Sequence, residues 1–300
     1  MHVLIAGGSG FIGTVLIRDL LADGHSVSVL TRDPARAKLP AGCRALRWDG
    51  RSADGWGGAM CQVEAVVNLT GESLSKWPWT AEQKERFRSS RVLAGQALTE
   101  AIRLADPRPR VLIQSSGINH YGLSGDLADE ATPPGEDFLA RLTVDWEAST
   151  REVEALGVHR CVLRTAVVLG KKGGLFGLMA LPVRLFAGGR LGTGRQAVPW
   201  VHVQDASGVI RFLLTHEVAR GAYNLIAPEN VSNAVFYRQL AAALRRPYWF
   251  PTPAFLLRIV LGEMSVLILD GRPVRPARLL EAGYGFRFPT LESALRDLVK

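Results

Sequence analysis

A glycine-rich turn near the N-terminus constrains the fold of this chain more than any other feature. Gly7, Gly10 and Gly13 recur at every third residue, between an apolar run that predicts a strand over 3–6 and a 3.6-periodic pattern that predicts a helix over 11–22. In such a unit the glycines permit a tight turn, close approach of a pyrophosphate and close helix packing, while free helix N–H groups attract phosphates. The segment therefore predicts a dinucleotide site, with a turn that holds no ligand as the alternative; the predicted contacts are Gly7, Ser9, Gly10, Phe11, Ile12 and Gly13.

Predicted strands and helices alternate through the first half of the chain. Further strands are predicted at 26–30, 65–69, 111–115 and 161–169, and helices at 81–105 and 137–156. This alternation is typical of a parallel sheet covered by helices. We therefore predict an α/β fold with a Rossmann-type doubly wound parallel sheet over 1–170, to which about 203–226 also contribute. Frequent glycine and proline predict a smaller C-terminal substrate region over 171–300.

Composition excludes several classes of protein. The chain has 300 residues, 47% hydrophobic and 21% charged, which is enough for a folded core. The net charge of +8 comes from 36 basic and 28 acidic residues, but no basic run exceeds two residues. Nucleic-acid binding is not predicted, because a phosphate footprint needs clustered basic residues. Three separated cysteines predict neither a disulfide framework nor a metal site.

Location is predicted from segments that the chain lacks. The N-terminal residues have no basic region followed by an apolar stretch and a cleavage site, so we expect a cytoplasmic protein. The most apolar segment, 254–269, is interrupted by Arg258 and Glu263 and is shorter than the roughly 20 residues of a membrane helix. We interpret it as one buried or amphipathic helix and predict no membrane partner.

The end of the second predicted strand predicts the type of nicotinamide cofactor. Dinucleotide domains that prefer NAD place an acidic residue there for the ribose hydroxyls, whereas this chain has Thr31 and Arg32. A guanidinium offers planar, charged donors to a 2′-phosphate, which a carboxylate would repel. We therefore predict NADP(H) as the cofactor, contacted by Thr31 and Arg32. The alternative is that Arg32 is a solvated loop residue.

Several segments together resemble one enzyme family. The glycine spacing, the segment 66–72, and Ser115-Ser116 followed by Tyr121-Gly122 resemble an extended, atypical short-chain dehydrogenase. The chain is most similar to the NAD(P)-dependent epimerase/dehydratase-like family, in its epimerase-like subgroup with a C-terminal domain of unknown function. Other matching segments run over nearly the whole chain: Trp79-Thr80, Ser90-Arg91, 135–139, Trp146-Glu147, 163–165, 188–194, Trp200 to His202, 224–228 and 271–276.

The resemblance implies further cofactor contacts. In that family the turn after the fourth strand passes beside the adenine and ribose, which implies that Leu69, Thr70 and Gly71 neighbour the cofactor. Arg91 matches a position implied to face the cofactor, where its charge would suit the phosphates. The alternative is that Arg91 lies on the protein surface, as arginines on amphipathic helices usually do.

The acid–base pair of short-chain dehydrogenases is missing. Those enzymes transfer a proton with a tyrosine and a lysine four residues later, because the ammonium lowers the phenol pKa from about 10. None of the five tyrosines has a lysine at that spacing. Where the family would place the pair, this chain has Phe138 and Leu142. The resemblance therefore carries over the cofactor site and not the acid–base machinery.

Two residues near the predicted sheet edge remain catalytic candidates. The resemblance implies that Ser116 matches the Ser or Thr that hydrogen-bonds the reacting oxygen. Tyr121 follows five residues later, and its hydroxyl would donate a proton unless the side chain merely packs a loop. His120 has an ordinary pKa suited to proton transfer near neutrality, with an aromatic stacking role as the alternative.

Two functions remain open. The first is an NADP(H)-dependent oxidoreductase or epimerase-like enzyme acting on a small polar substrate held between the nucleotide domain and the C-terminal region. The second is an NADP-binding sensor or regulatory partner-binding protein with little or no catalysis, which the missing Tyr-Lys pair favours. The sequence does not predict the substrate, the direction of reaction or the oligomeric state.

Overall fold

Seven parallel strands and the helices around them form the centre of the protein. The computed structural model describes residues 1–300. Its strands are β1 His2–Ala6, β2 Ser26–Thr31, β3 Arg44–Arg47, β4 Ala65–Asn68, β5 Val111–Gly117, β6 His159–Thr165, β7 Val167–Leu169, β8 Trp200–His202 and β9 Gly221–Leu225. Its α-helices are α1 Phe11–Ala22, α2 Ala81–Leu104, α3 Phe138–Ala148, α4 Phe176–Arg184, α5 Val203–Thr215, α6 Asn233–Leu244, α7 Ala254–Leu261, α8 Val266–Leu269, α9 Ala277–Glu281 and α10 Leu291–Leu298.

The sheet order is β3-β2-β1-β4-β5-β6-β9, with every neighbouring pair parallel. Buried side chains alternate between its two faces. On β1, Val3 and Ile5 pack in one core with residues of α1 and α5, whereas Leu4 and Ala6 pack in a second core with residues of α2. Strands buried on both faces are what helices on both sides of a parallel sheet require. The predicted α/β class and doubly wound Rossmann-type sheet are confirmed.

Two predicted elements have different boundaries in the structure. The predicted strand 161–169 divides at Ala166, whose N–H donates to Leu225 O before the N–H of Val167 donates to Pro199 O. The chain therefore leaves the main sheet there and pairs with β8 in a separate two-stranded sheet. The predicted helix 137–156 ends at Ala148 and is followed by a short 3₁₀ helix.

The sequence analysis also missed β3. Its residues Arg-Ala-Leu-Arg are exposed at both ends and half-buried in the middle, because β3 lies at one edge of the sheet. A four-residue edge strand that ends in arginines has little of the apolar pattern by which strands are predicted. At the opposite edge, β9 joins the sheet, and α5, which precedes β9 in the chain, packs on α1.

The C-terminal region has its own core, built by α4, α6 and α10 around Phe176, Trp200 and Phe236. The prediction of a single buried or amphipathic helix over 254–269 is wrong. Gly262, with φ of +55°, divides it into α7, a 3₁₀ turn and α8, and α7 contains no buried residue. None of the helices is both long and apolar enough to span a bilayer.

Candidate functional site

The glycine-rich turn between β1 and α1 is packed too closely to hold side chains at two of its positions. Gly7 has φ of +80°, and a Cβ atom there would lie 2.8 Å from the carbonyl carbon of Leu69. A Cβ atom at Gly13 would lie 2.6 Å from the Cα of Gly8. The first and third glycines therefore have the steric roles predicted from their spacing, and the turn lies directly against the segment that follows β4.

The N-terminus of α1 presents free donors. Gly10 is the N-cap residue and supplies no side chain, and the first turn contains no acidic residue. The helical ladder begins with the N–H of Thr14 donating to Gly10 O at 3.0 Å, so the N–H groups of the three preceding residues stand outside it. Ser9 and Gly10 are exposed. This end of the helix fits a pyrophosphate, because unpaired N–H groups and the helix dipole both favour an anion.

Phe11, at the start of α1, packs its ring against the segment that follows β7. The ring packs against Gly173 and Gly174, where added Cβ atoms would lie 2.8 and 2.7 Å from ring carbons. The segment 170–174 thus covers the beginning of α1, a contact that the sequence analysis missed. The adjacent Gly173-Gly174 pair was the available signal, because a close approach of two segments favours glycine. Any contact of Phe11 with a cofactor is therefore assigned to its backbone.

A guanidinium without a carboxylate partner lies at the carboxyl end of β2. Thr31 is half-buried and Arg32 is exposed, while the neighbouring Asp33 forms an ion pair with Arg36 at 3.5 Å. Arg47, the last residue of β3, is exposed and in register with Thr31. The sequence analysis overlooked Arg47 because it missed β3. Two arginines thus lie at the carboxyl ends of adjacent strands, which is the side on which open parallel α/β sheets bind their ligands.

Arg91 stabilises the turn that follows β4 by a hydrogen bond to its backbone. Its guanidinium donates to the carbonyl oxygens of Phe87 and Glu72 at 2.9 and 3.0 Å and stacks on Trp146 at 4.8 Å. Burial lowers the pKa of Arg91 to about 10. The surface alternative for Arg91 is therefore wrong, since the side chain is 7% exposed. Its guanidinium lies beside Gly71, which it would crowd if that residue carried a Cβ atom.

A largely buried carboxylate near the carboxyl end of β5 holds the predicted catalytic residues in place. Glu147 accepts from Ser116 Oγ at 2.7 Å and from two nitrogens of Arg164, Nε at 2.9 Å and Nη2 at 3.0 Å. Burial alone would raise the pKa of Glu147, but the hydrogen bonds and the charge of Arg164 outweigh it and hold that pKa below its usual value. Glu147 and Arg164 therefore form a bidentate salt bridge, with two parallel charged hydrogen bonds.

Tyr121 belongs to the same network. Its hydroxyl donates to Asn224 Oδ1 at 2.6 Å and accepts from Arg164 Nη1 at 3.0 Å, and the residue is 1% exposed. Burial raises the pKa of this phenol. The structure therefore brings both predicted catalytic residues, Ser116 and Tyr121, to one cluster, but it commits the Tyr121 hydroxyl to partners in the interior.

His120 lies beside this cluster as a neutral imidazole. Burial lowers the pKa of His120 to about 4, more than the nearby Glu147 carboxylate raises it. The 3.5 Å separation between its Nδ1 and Glu147 is therefore not an ion pair at neutral pH, and Nδ1 has no hydrogen-bond partner. The ring also packs edge-on against Tyr121, with centroids 5.3 Å apart. The edge-on packing fits the stacking interpretation of His120, and the unpartnered Nδ1 fits the proton-transfer interpretation.

Acid should destabilise the protein through its buried histidines. Burial lowers the pKa of both His120 and His202 to about 4, so the unfolded chain takes up protons near pH 6.5 while the folded chain does not. We expect the free energy of unfolding to fall between pH 6.5 and 4 by on the order of 3 kcal/mol for each histidine. Urea unfolding across this range measures the slope. We expect His120→Asn and His202→Asn each to reduce this slope; asparagine at position 202 keeps an N-cap for α5. An unchanged slope in both variants would contradict the assignment.

The positions of the missing acid–base pair are apolar in the structure as well. Phe138 packs edge-on against Trp79, with ring centroids 6.0 Å apart, and Leu142 is buried in the same small cluster. Neither side chain transfers protons. The sequence analysis gave Glu147, Arg164 and Asn224 no role, although an arginine inside the apolar run of β6 was a signal, because a buried charge needs a partner.

Comparisons with known proteins agree with this geometry. The NAD dependent epimerase/dehydratase family matches residues 3–225, and a domain of unknown function, DUF1731, matches residues 252–298. The epimerase family protein SDR39U1 of Bos taurus is 36% identical over 306 residues, covering 100% of both chains. The epimerase family protein YfhF of Bacillus subtilis (strain 168) is 34% identical over 303 residues, covering 100% of this chain and 98% of its own.

Solved structures extend the comparison. The crystal structure of the human epimerase family protein SDR39U1 (isoform 2) with NADPH matches with a TM-score of 0.91 and 34% identity, covering 100% of this chain and 99% of its own.

A relative from Arabidopsis thaliana, 34% identical and covering 100% of this chain and 87% of its own, is named chloroplastic. The cytoplasmic location of this chain therefore stays a prediction.

Proposed function

Because the chain belongs to the NAD dependent epimerase/dehydratase family, we propose that it is an NADP(H)-dependent oxidoreductase or epimerase-like enzyme that acts on a small polar substrate. The observation that carries this proposal is the exposed Arg32, free of any carboxylate, at the end of β2 beside an uncapped helix N-terminus. A guanidinium there complements a 2′-phosphate. The NADPH in the human SDR39U1 structure supports the same cofactor.

Different residues of the chain would bind different parts of this cofactor. The backbone of Gly7, Ser9, Gly10, Ile12 and Gly13, with that of Phe11, would bind the pyrophosphate, and Arg32 the 2′-phosphate. When bound, NADP(H) supplies or accepts a hydride at the reacting carbon. The turn of Leu69, Thr70 and Gly71 would face the adenosine, positioned from behind by Arg91.

We place the reacting group of the substrate at the carboxyl end of β5, close to Ser116. Glu147 fixes the Ser116 hydroxyl by accepting its hydrogen bond, and Arg164 fixes Glu147. We assign Tyr121 to positioning Arg164, because its hydroxyl is fully engaged in the interior. The proton that accompanies hydride donation to the substrate would then come from water, whereas in the reverse direction the unpartnered ring nitrogen of the neutral His120 would accept the proton that the substrate releases.

The cofactor proposal predicts a selective effect of Arg32→Ala. We expect the Kd for NADPH to rise by about 10- to 100-fold, which corresponds to losing one hydrogen-bonded charge pair, while the Kd for NADH stays unchanged. Titration by protein and cofactor fluorescence measures both. Arg18→Ala, another exposed arginine on the same domain, serves as the control. Equal affinities of the wild-type protein for NADPH and NADH would contradict the proposal.

The catalytic proposal predicts different effects for the two hydroxyl groups. With NADPH and a panel of sugar nucleotides, quinones and aldehydes, we expect Ser116→Ala to lower kcat by at least about tenfold, within the range of a lost proton-positioning group. Tyr121→Phe should leave kcat within about threefold and lower thermal stability instead, because it removes a buried hydrogen-bond partner. The reverse pattern would return the catalytic role to Tyr121.

The sensor function is the second candidate. It is favoured by the apolar Phe138 and Leu142 and by the internal engagement of both candidate hydroxyls. The same substrate panel separates the two functions. Tight NADPH binding with no turnover of any substrate would favour a cofactor-binding sensor, whereas turnover sensitive to Ser116→Ala supports the enzyme.

A further inference from the structure

Two stretches of the C-terminal region carry arginine as their only charged residue. Residues 173–200 contain Arg184, Arg190 and Arg195 and no lysine, aspartate or glutamate. Residues 238–262 contain Arg238, Arg245, Arg246 and Arg258, again with no other charged side chain. All seven are exposed, and none forms an ion pair. The next acidic residue along the chain, Glu263, is already paired with Lys84 at 2.5 Å.

The same two stretches expose an unusual amount of apolar surface. They hold eleven of the seventeen large hydrophobic side chains that the chain exposes. On α7, Phe255, Leu256, Ile259 and Val260 share one face, by their i, i+1, i+4, i+5 spacing, and are 44–76% exposed. Contiguous apolar patches of this kind mark interaction sites on soluble proteins.

Backbone hydrogen bonds join the two stretches side by side. The N–H groups of Trp249 and Phe250 both donate to Gly188 O, at 2.9 and 3.0 Å, and the N–H of Gly192 donates to Thr252 O at 2.8 Å. The Trp249 indole donates to Phe186 O at 2.7 Å, and the Arg246 guanidinium lies 4.5 Å from the Phe186 ring. We call the exposed side chains of 173–200 and 238–262 the apolar–arginine surface.

We propose that the apolar–arginine surface docks peripherally on an anionic lipid bilayer. Aliphatic and aromatic side chains enter the boundary between headgroups and acyl chains, while guanidinium groups pair with lipid phosphates. A second copy of this chain is a poor occupant, because the same surface on both copies would oppose arginine to arginine with no carboxylate between them. This proposal departs from the expectation of no membrane partner, which rested on composition and on the length of the apolar segment.

An acidic protein is a poorer match than lipid. Apart from its arginines the surface offers few hydrogen-bonding side chains, and the indole N–H of Trp249 is already used within the chain. Protein interfaces of ordinary affinity carry about ten hydrogen bonds. Fluid acyl chains require none, so an apolar face bordered only by arginine suits a phospholipid surface better.

Vesicle flotation with the full chain tests the proposal. We expect binding to phosphatidylcholine vesicles that contain phosphatidylglycerol, weak binding to phosphatidylcholine alone, and release by high salt. Ile259→Asp should lower the partition coefficient by at least about tenfold, because it puts a charge where the proposal has an aliphatic side chain enter the bilayer. Val218→Asp is the control, since Val218 is equally exposed (74% against 76%) and lies outside the surface.

A second pair of variants tests the charge. Removing Arg245 and Arg246 together should lower binding to anionic vesicles by about 30-fold, at about 1 kcal/mol for each arginine, whereas removing the exposed Arg108 and Arg110 should leave it unchanged. Failure to bind anionic vesicles, or equal loss in the Val218→Asp control, would overturn the proposal. So would light scattering that showed an oligomer abolished by Ile259→Asp, which would assign the surface to self-association.

Discussion

Gly13→Val is expected to raise the Kd for NADPH by at least about 100-fold. A Cβ atom at this position would lie 2.6 Å from both the Cα and the carbonyl oxygen of Gly8, which are backbone atoms that no rotamer change moves. The N-terminus of α1 must therefore shift away from the turn by nearly an ångström. Displacements of that size cost about two orders of magnitude at precisely arranged sites, and overpacking itself costs about 1–3 kcal/mol of stability. Fluorescence titration and urea unfolding measure the two effects.

Gly177→Val is the matched control for this variant. Gly177 also lies in the first turn of a helix, α4, but a Cβ atom there would meet nothing within 4 Å. We expect its NADPH affinity to match that of the wild-type protein and its stability to change by less than about 1 kcal/mol. If Gly13→Val bound NADPH as tightly as Gly177→Val, the close packing of the turn would have no part in cofactor binding.

The nucleotide half of the fold was predictable because local pattern and tertiary environment agree there. Strands such as β1, buried on both faces, appear in the sequence as short apolar runs, and the glycine turn fixes the connection from β1 to α1. The steric roles of the three glycines could be predicted from their spacing and the flanking strand and helix alone. The position of Arg32 beside the nucleotide turn could also be predicted, because Arg32 directly follows the end of β2.

The buried network was not predictable, because its members are distant in sequence. Glu147 reaches Ser116 across 31 residues, and Tyr121 reaches Asn224 across 103. Spacing rules describe neighbours within one helix or strand, whereas these contacts depend on which strands become adjacent in the sheet. The apolar run 254–269 misled for a related reason: Gly262 breaks the helix, and nothing in the chain covers the outer face of α7.

Glu147→Ala is expected to lower the free energy of unfolding by about 3–5 kcal/mol. The substitution leaves the Arg164 guanidinium, 9% exposed, as an unpaired buried charge and removes the acceptor of the Ser116 hydroxyl. Breaking a buried ion pair by deleting one partner has costs of this size. Because the pKa of Glu147 is lowered by folding, its contribution is present above the unfolded pKa, about 4.3, and is lost as pH falls below it.

Asp145→Ala controls for the loss of a carboxylate on the same helix, α3. Asp145 pairs with Arg88 at 2.7 Å, but the two side chains are 43% and 47% exposed, so we expect a loss below about 1 kcal/mol. The double variant Glu147→Leu, Arg164→Met should recover most of the stability, because it removes both buried charges together. Urea unfolding at neutral pH measures all three. A Glu147→Ala variant no less stable than Asp145→Ala would show that the network contributes nothing to folding, and Ser116 would then need another group to fix its hydroxyl.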